Sequence, residues 1–420
     1  MYQYKINGGR RLEGEVVIEG SKNAVLPILA ATLLHAGVSV IHNYPALRDV
    51  HFMLEIISAL GCTVTENALT GTVMIDASTM DCDCISQKNA LEMRSSIIFL
   101  GAVLARMGSI QISHPGGCEL GPRPVDLHIK ALRQMGAELE DVQDGMIRAQ
   151  KVKLVGTEIH LQYPSVGATE NIMIAAVLAE GETVIRNAAK EPEIIDLQYF
   201  LNAMGGNVQG AGTGTVIIKG VKRLHDVEYT VIPDRIVAGT YMAAATVTGG
   251  SLLLSHVIAD HLAPVIAVLK ECGTEIRTEK DALHVVGPKR IKAPEIIRTL
   301  PHPGFPTDMQ APMVSVMTLA EGTGIMIETV FESRYKHVDE LTKMGANIKV
   351  DGRIAVVRGG SKLYGARVQA RDLRGGAALI IAGLAAEGVT VVLDEKHIER
   401  GYVEIERKLR TVGAEIIKEE

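Results

Sequence analysis

Six short polar clusters in this sequence could do chemistry, and all six stand ahead of an apolar stretch of helical length. They are Lys22-Asn23, Arg94-Ser95-Ser96, Ser165-Val166-Gly167, Asp234-Arg235, Thr307-Asp308 and Asp372-Leu373-Arg374. Serine and threonine at such places are ordinary helix N-caps. Lys22, Arg94 and Arg235 need another reason, because a cation there opposes the positive end of the helix dipole. It gains a purpose when an anion binds at that end, held also by free backbone N–H groups. Several such ends facing one cleft would make a strongly anion-attracting pocket.

A second chemical stretch is "GGCELGPRPVDLH", residues 116–128, with Cys118 in a glycine-rich loop and Arg123 between two prolines. A disulfide, a metal site, a buried thiol and a reactive thiol could all start from it. Five cysteines (Cys62, Cys82, Cys84, Cys118, Cys272) are odd in number and scattered, which is a poor disulfide framework. Cys82 and Cys84 form the one close pair, but CxC suits zinc less well than CxxC, and no second pair completes four ligands. No metal is expected. A reducing cytosol would leave Cys118 a free thiol. On local sequence alone, a surface thiol on a flexible turn and a catalytic thiol stand level. Gly116 and Gly117 let the loop bend, and Pro122 and Pro124 stiffen the side carrying Arg123.

Internal repetition shows what must position these groups. An amphipathic helical tail ending in glycine before a strand recurs with its glycine at Gly61, Gly136, Gly205, Gly273, Gly345 and Gly413, spaced 75, 69, 68, 72 and 68 residues apart. A small-residue apolar helix ending near glycine before a β-branched strand interleaves with it, as in "LAATLLHAGVSVI" and "AGLAAEGVTVV". Six units of about 70 residues account for the chain. Such a unit is long for a solenoid repeat, typically ~20–45 residues, so two compact groups of three units are expected. The first helix of each unit is apolar on nearly every face and should be buried, with sheets around it. Its partner carries charge on one side and should face solvent.

Bulk properties narrow the class. At 420 residues, with 47% hydrophobic and 22% charged residues, the chain should hold two or three soluble domains. A net charge of −6 with dispersed basic residues argues against nucleic-acid binding. The best apolar run, Ala377 to Ala386, is far short of the roughly 20 residues of a membrane span. The N-terminal stretch has no signal-peptide core, so the expected location is cytoplasmic.

The motifs "GSKNAVLPILAATLL", "GGCELGPRPVDLHI", "FPTDMQA", "ETVFESRYKHVDEL", "ARDLRGGAALIIAG" and "HIERGY" together resemble the UDP-N-acetylglucosamine 1-carboxyvinyltransferase family, enolpyruvyl transferases that open peptidoglycan precursor synthesis. The resemblance runs from Lys5 to the C-terminal tail. It implies an α/β fold of two inside-out barrel domains, three units each, with the active site in the cleft between them. It implies residues 22–229 as one domain and residues 1–21 with 230–420 as the other. The implied reaction moves the enolpyruvyl group of phosphoenolpyruvate to the 3′-hydroxyl of UDP-N-acetylglucosamine through a tetrahedral intermediate, with phosphate leaving and no cofactor. Its partners are these small molecules alone, with no nucleic acid, membrane or obligate protein.

The resemblance also implies roles. Cys118, Asp308, Lys22 and Asp372 are the catalytic candidates, with Asp308 as base and Cys118 as proton donor, open to alkylation by an epoxide phosphonate such as fosfomycin. Lys22, Asn23, Arg123, Arg334, Arg374 and Arg400 would hold phosphoenolpyruvate. Asn23, Arg94, Arg123, Pro124, Val125, Asp126, Leu127, Ser165, Val166, Gly167, Asp308 and Val330 would contact the nucleotide-sugar. Two local departures matter. Tyr163-Pro164 stands where some members carry a basic residue near the diphosphate, and Glu119 puts a carboxylate beside the thiol. Two rival readings are a 3-phosphoshikimate enolpyruvyl transferase, which lacks the Cys loop and "RPVDLH", and a non-catalytic binding protein built on the same repeats.

Overall fold

In four of the six repeats the apolar helix links two parallel strands of one sheet, and in five the amphipathic helix leads into a hairpin. The second repeat of the second half shows the order plainly. Strand Ile296–Arg298 leads through helix Gln310–Leu319 to the parallel strand Thr323–Ile327. Helix Lys336–Lys343 follows, then the antiparallel pair Asn347–Asp351 and Ile354–Arg358. Parallel neighbours need a long crossover, and the buried helix supplies it. The computed structural model describes residues 2–67, 69–87, 94–114, 125–141, 145–151 and 153–420. Among these are six four-stranded sheets of one topology: a parallel edge pair followed by two antiparallel pairings.

The glycines that set the repeat do the same backbone work each time. Gly61, Gly136, Gly205, Gly273, Gly345 and Gly413 all have φ between 93° and 99°. Each follows the C-cap of an amphipathic helix, where a left-handed residue ends the helix and a Cβ would be strained.

The chain folds as two compact units, one of residues 20–232 and one of residues 1–19 with 233–420, apart from residues not described. Strand pairing explains the early crossing. Tyr2–Asn7 fills the third place of the last sheet, between Val389–Asp394 and Glu415–Glu419. Glu13–Val17 is the parallel edge beside Ser251–Ser255. In return, Val227–Thr230 is the edge beside Val38–His42.

Each unit has its helices inside. In the unit of residues 20–232, helices Lys22–Ala31, Phe99–Met107 and Val166–Ala176 pack on one another. In the other unit the same is true of Arg235–Thr248, Gln310–Leu319 and Leu373–Ala385. Leu373–Ala385 is buried from Arg374 to Leu384 without a gap, as expected of a helix apolar all round. The expected α/β fold of two inside-out units of three repeats is therefore present. The outer helices bury more than apolar side chains: Asp49, Glu193, Asp196, His337 and Glu340 all lie inside.

Candidate functional site

Burial of the inner helices begins within two residues of their starts, so the polar clusters sit at the edge of the core. Ser21, Ser165, Asp234 and Asp372 are N-caps whose side chains accept from backbone N–H groups of the first turn. The capping account of these clusters therefore holds at four of six starts.

In the unit of residues 233–420, three candidates meet. Asp308 lies in the 3₁₀ turn Thr307–Met309 that leads into helix Gln310–Leu319, and Arg374 lies in the first turn of Leu373–Ala385. Arg334 precedes helix Lys336–Lys343. Arg334 Nη2 donates to Asp308 Oδ1 at 2.7 Å, and Arg374 Nη2 donates to Oδ2 at 3.2 Å. Both arginine side chains are 3% exposed, against 26% for the carboxylate. The rings of Phe331 and Tyr402 lie 5.1 and 5.2 Å from the two guanidiniums and favour their charge. Burial opposes the Arg374 charge, but Tyr402, Asp308 and Asp234 outweigh it and push its pKa upward.

The guanidiniums are not fully satisfied. Among the described residues, Arg334 Nε and Arg374 Nε and Nη1 are buried with no hydrogen-bond partner. Buried donors left unmade are costly, and a charged oxygen is the partner that best repays them.

Asp372 accepts from Gly375 N–H at 2.8 Å, so this candidate is also the cap of its helix. Beside it sits His337, which the sequence reading passed over. Its ring is 2% exposed. Burial pushes it down to about 4, with Asp372 opposing and Arg334 adding to the shift. A neutral imidazole thus packs near both charges. Its signal was its place three residues after Arg334, on the apolar face of the helix. Val330 donates its N–H to Glu328 Oε1 at 2.8 Å. Arg400 closes the 3₁₀ turn Ile398–Arg400, whose start is tied to Asp394 through the N–H groups of His397 and Ile398.

In the unit of residues 20–232, Lys22 and Asn23 form the first turn of helix Lys22–Ala31. Lys22 Nζ lies 3.2 Å from Asp49 Oδ2 in the neighbouring outer helix, whose carboxylate side chain is 3% exposed. The cation at this helix start is therefore paired with a carboxylate rather than bare. Arg94 opens the 3₁₀ turn Arg94–Ile98. Val125 caps helix Asp126–Gln134, which Asp126 and Leu127 begin, and Ser165, Val166 and Gly167 start Val166–Ala176. Cys118, Arg123 and Pro124 lie outside the described residues.

Asn171, another residue the sequence reading missed, joins these segments. Its Oδ1 accepts from Gly101 N–H at 2.6 Å, and its Nδ2 reaches Ile97 O and His128 Nδ1, both at 2.9 Å. A Cβ on Gly101 would collide with that side chain, so the approach requires glycine. One buried amide thus fixes the Arg94 turn, the Asp126 helix and the Ser165 helix together.

Three of the four described cysteines have thiols held away from the reactive thiolate. Burial pushes Cys62 up to about 11 and Cys272 up to about 12. Cys84 is also raised, by burial and then by Cys82 and Asp83. All four described cysteines are free thiols. Among the described residues, no helix is long and apolar enough to cross a membrane.

This architecture is that of the enolpyruvyl transferases. The enolpyruvyl transferase NikO from Streptomyces tendae superposes with a TM-score of 0.91, covering 99% of this chain and 98% of its own, at 24% identity. EPSP synthase from Acinetobacter baumannii gives 0.78 at 19% identity, with complete coverage of both chains. The sequence profile described as EPSP synthase (3-phosphoshikimate 1-carboxyvinyltransferase) matches residues 6–409.

Curated relatives are more specific. UDP-N-acetylglucosamine 1-carboxyvinyltransferase 2 of Caldanaerobacter subterraneus subsp. tengcongensis is 54% identical over 418 residues, all of both chains. UDP-N-acetylglucosamine 1-carboxyvinyltransferase 1 of Symbiobacterium thermophilum is 53% identical over 99% of this chain and 94% of its own. The chain belongs to the UDP-N-acetylglucosamine 1-carboxyvinyltransferase family.

Proposed function

We propose that this protein transfers the enolpyruvyl group of phosphoenolpyruvate to the 3′-hydroxyl of UDP-N-acetylglucosamine, the opening step of peptidoglycan precursor synthesis. The observation that carries the reading is the Asp308 carboxylate bridging Arg334 and Arg374, a pair of buried guanidiniums whose charge suits an anionic substrate. The high identity to the family over the full chain supports the same substrates.

In this reading Asp308 takes the proton of the sugar hydroxyl, whose oxygen bonds to C2 of phosphoenolpyruvate. Cys118 supplies the proton that C3 gains. The tetrahedral ketal then loses a C3 proton and expels phosphate, which restores the enol. Lys22, Asn23, Arg123, Arg334, Arg374 and Arg400 hold the phosphate and carboxylate, and Asp372 orients the cations. Arg94, Arg123, Pro124, Val125, Asp126, Leu127, Ser165, Val166, Gly167 and Val330 hold the nucleotide-sugar, with Asn23 and Asp308 against its reacting end. Residues 22–229 form the domain bearing Cys118, and residues 1–21 with 230–420 form the other. The enzyme acts in the cytoplasm on soluble substrates.

Phosphate release with phosphoenolpyruvate tests the reading. It should depend on UDP-N-acetylglucosamine and be absent with shikimate 3-phosphate. The reverse preference would transfer the chain to the activity named in the broader profile. Release with neither acceptor would favour a binding protein.

A further inference from the structure

Outside the groups so far given roles, one buried charge is satisfied on every side. Glu328 is 0% exposed and follows strand Thr323–Ile327. Its Oε1 accepts from Thr299 Oγ1 at 2.9 Å, Val330 N–H at 2.8 Å and Phe331 N–H at 3.1 Å. Its Oε2 accepts from Thr307 Oγ1 at 2.9 Å. A carboxylate taken fully out of water is costly, and its retention needs this full set of donors.

The two oxygens serve different parts of the site. The Oε1 side fixes the backbone of Val330 and Phe331, and the Phe331 ring lies against the Arg334 guanidinium. The Oε2 side holds Thr307, the residue before Asp308 and the start of its 3₁₀ turn. Thr299 strengthens the first side: its Oγ1 accepts from Thr329 N–H, and its carbonyl accepts from Thr329 Oγ1.

We propose that Glu328 is a positioning residue that sets the Asp308 turn and the Val330–Phe331 loop in register on the two oxygens of one carboxylate. It touches no substrate. Through Thr307 it governs proton abstraction, and through Val330 and Phe331 it governs nucleotide-sugar binding. This rests on the functional reading above. The Oε2 arm can be cut alone, because Thr307 is its donor, whereas the Oε1 arm is partly main chain.

The test uses the full-length protein, with phosphate release for kcat and calorimetry for UDP-N-acetylglucosamine affinity. Thr307→Val should lower kcat roughly 10- to 100-fold, the cost of a small displacement of a reacting group, with affinity within about twofold of wild type. Thr307→Ser keeps the hydroxyl and should restore kcat. Glu328→Met keeps length without acceptors, and should lower both kcat and affinity. Glu328→Gln should fall between, since its carbonyl keeps the Oε1 donors and its amide can donate to Thr307 Oγ1. Equal loss of kcat and affinity in Thr307→Val, or wild-type kcat in that variant, would overturn the two-arm assignment. Thr307→Val decides the matter if Glu328→Met fails to fold. An inactive wild type would instead refute the functional reading, and an active Asp308→Ala would refute the base while leaving the geometry of Glu328 in place.

Discussion

Asp308 is assigned two jobs, base and counter-ion, and two substitutions separate them. Asp308→Ala leaves Arg334 and Arg374, each 3% exposed, with no carboxylate between them. Removing one partner of a buried ion pair costs about 3–5 kcal/mol. Two pairs are lost here, but the carboxylate is a quarter exposed and the Phe331 and Tyr402 rings remain, so the cost should stay near about 4 kcal/mol rather than double. For a unit of this size, about 2–4 °C per kcal/mol, the melting transition should fall by on the order of 10 °C. Asp308→Asn keeps one acceptor oxygen and should recover about half of that loss. Turnover should not recover, because an amide cannot take the hydroxyl proton: both variants should lose a factor on the order of 10² to 10⁴.

Scanning calorimetry and phosphate release read the two jobs separately. Inorganic phosphate adds a check, since the freed guanidiniums should bind it and raise the Asp308→Ala transition more than that of wild type. Asp308→Asn with more than about a tenth of wild-type turnover would refute the base. Asp308→Ala melting within about 2 °C of wild type would refute the counter-ion, whatever happened to the rate.

Three further outcomes follow from the same structure. Lys22→Ala should raise the KM for phosphoenolpyruvate and destabilise the fold by removing an ion-pair partner of buried Asp49; adding Asp49→Asn should recover part of the melting temperature but not the KM, and a restored KM would assign Lys22 to structure alone. The two units should respond oppositely to acid. His337, held at about 4 against its ordinary 6.5, costs its unit stability as pH falls from 6.5 toward 4, about 2 kcal/mol by pH 5, whereas Asp196, pushed up to about 6 by burial, favours its unit below pH 6 and loses that stability as pH rises through 6. Calorimetry of His337→Asn and Asp196→Asn between pH 5 and 7 should flatten the respective slopes; parallel slopes in both variants would count against these environments. Fosfomycin should leave one adduct, on the peptide containing Cys118, because the described cysteines Cys62, Cys84 and Cys272 all have thiols shifted away from the reactive thiolate. Labelling of any other cysteine, or of a Cys118→Asp variant, would sink that assignment.

The repeat was legible because its signals are local and periodic. A glycine with φ near 95° is needed at one place in each unit, and the sequence supplies it six times. Apolar helices likewise announce their own burial. The candidate residues at helix starts were legible for a related reason, since a cation at a positive helix end is an anomaly within a few residues of sequence. Their neutralisation was not legible. Asp49 stands 27 residues from Lys22, and Asp308 stands 26 and 66 residues from its two arginines. Only the packing of helices around a common centre brings them within hydrogen-bond reach.

Glu328 and Asn171 were missed for a deeper reason. Both are polar residues whose role lies in partners that the fold brings to them. Glu328 reads as an ordinary charge at a strand end, yet its acceptors hold residues 299, 307, 330 and 331. Asn171 reads as a flaw in an apolar helix, yet it joins three segments of its unit. A buried polar group survives selection against its own desolvation only when its bonds are all made, so such residues fix geometry more tightly than apolar packing of equal volume. In this fold the candidate residues lie on turns at the edge of the core, where they can be recognised, and the groups proposed to aim them lie one layer inward. Each unit carries such an aiming residue, Asn171 in one and Glu328 in the other.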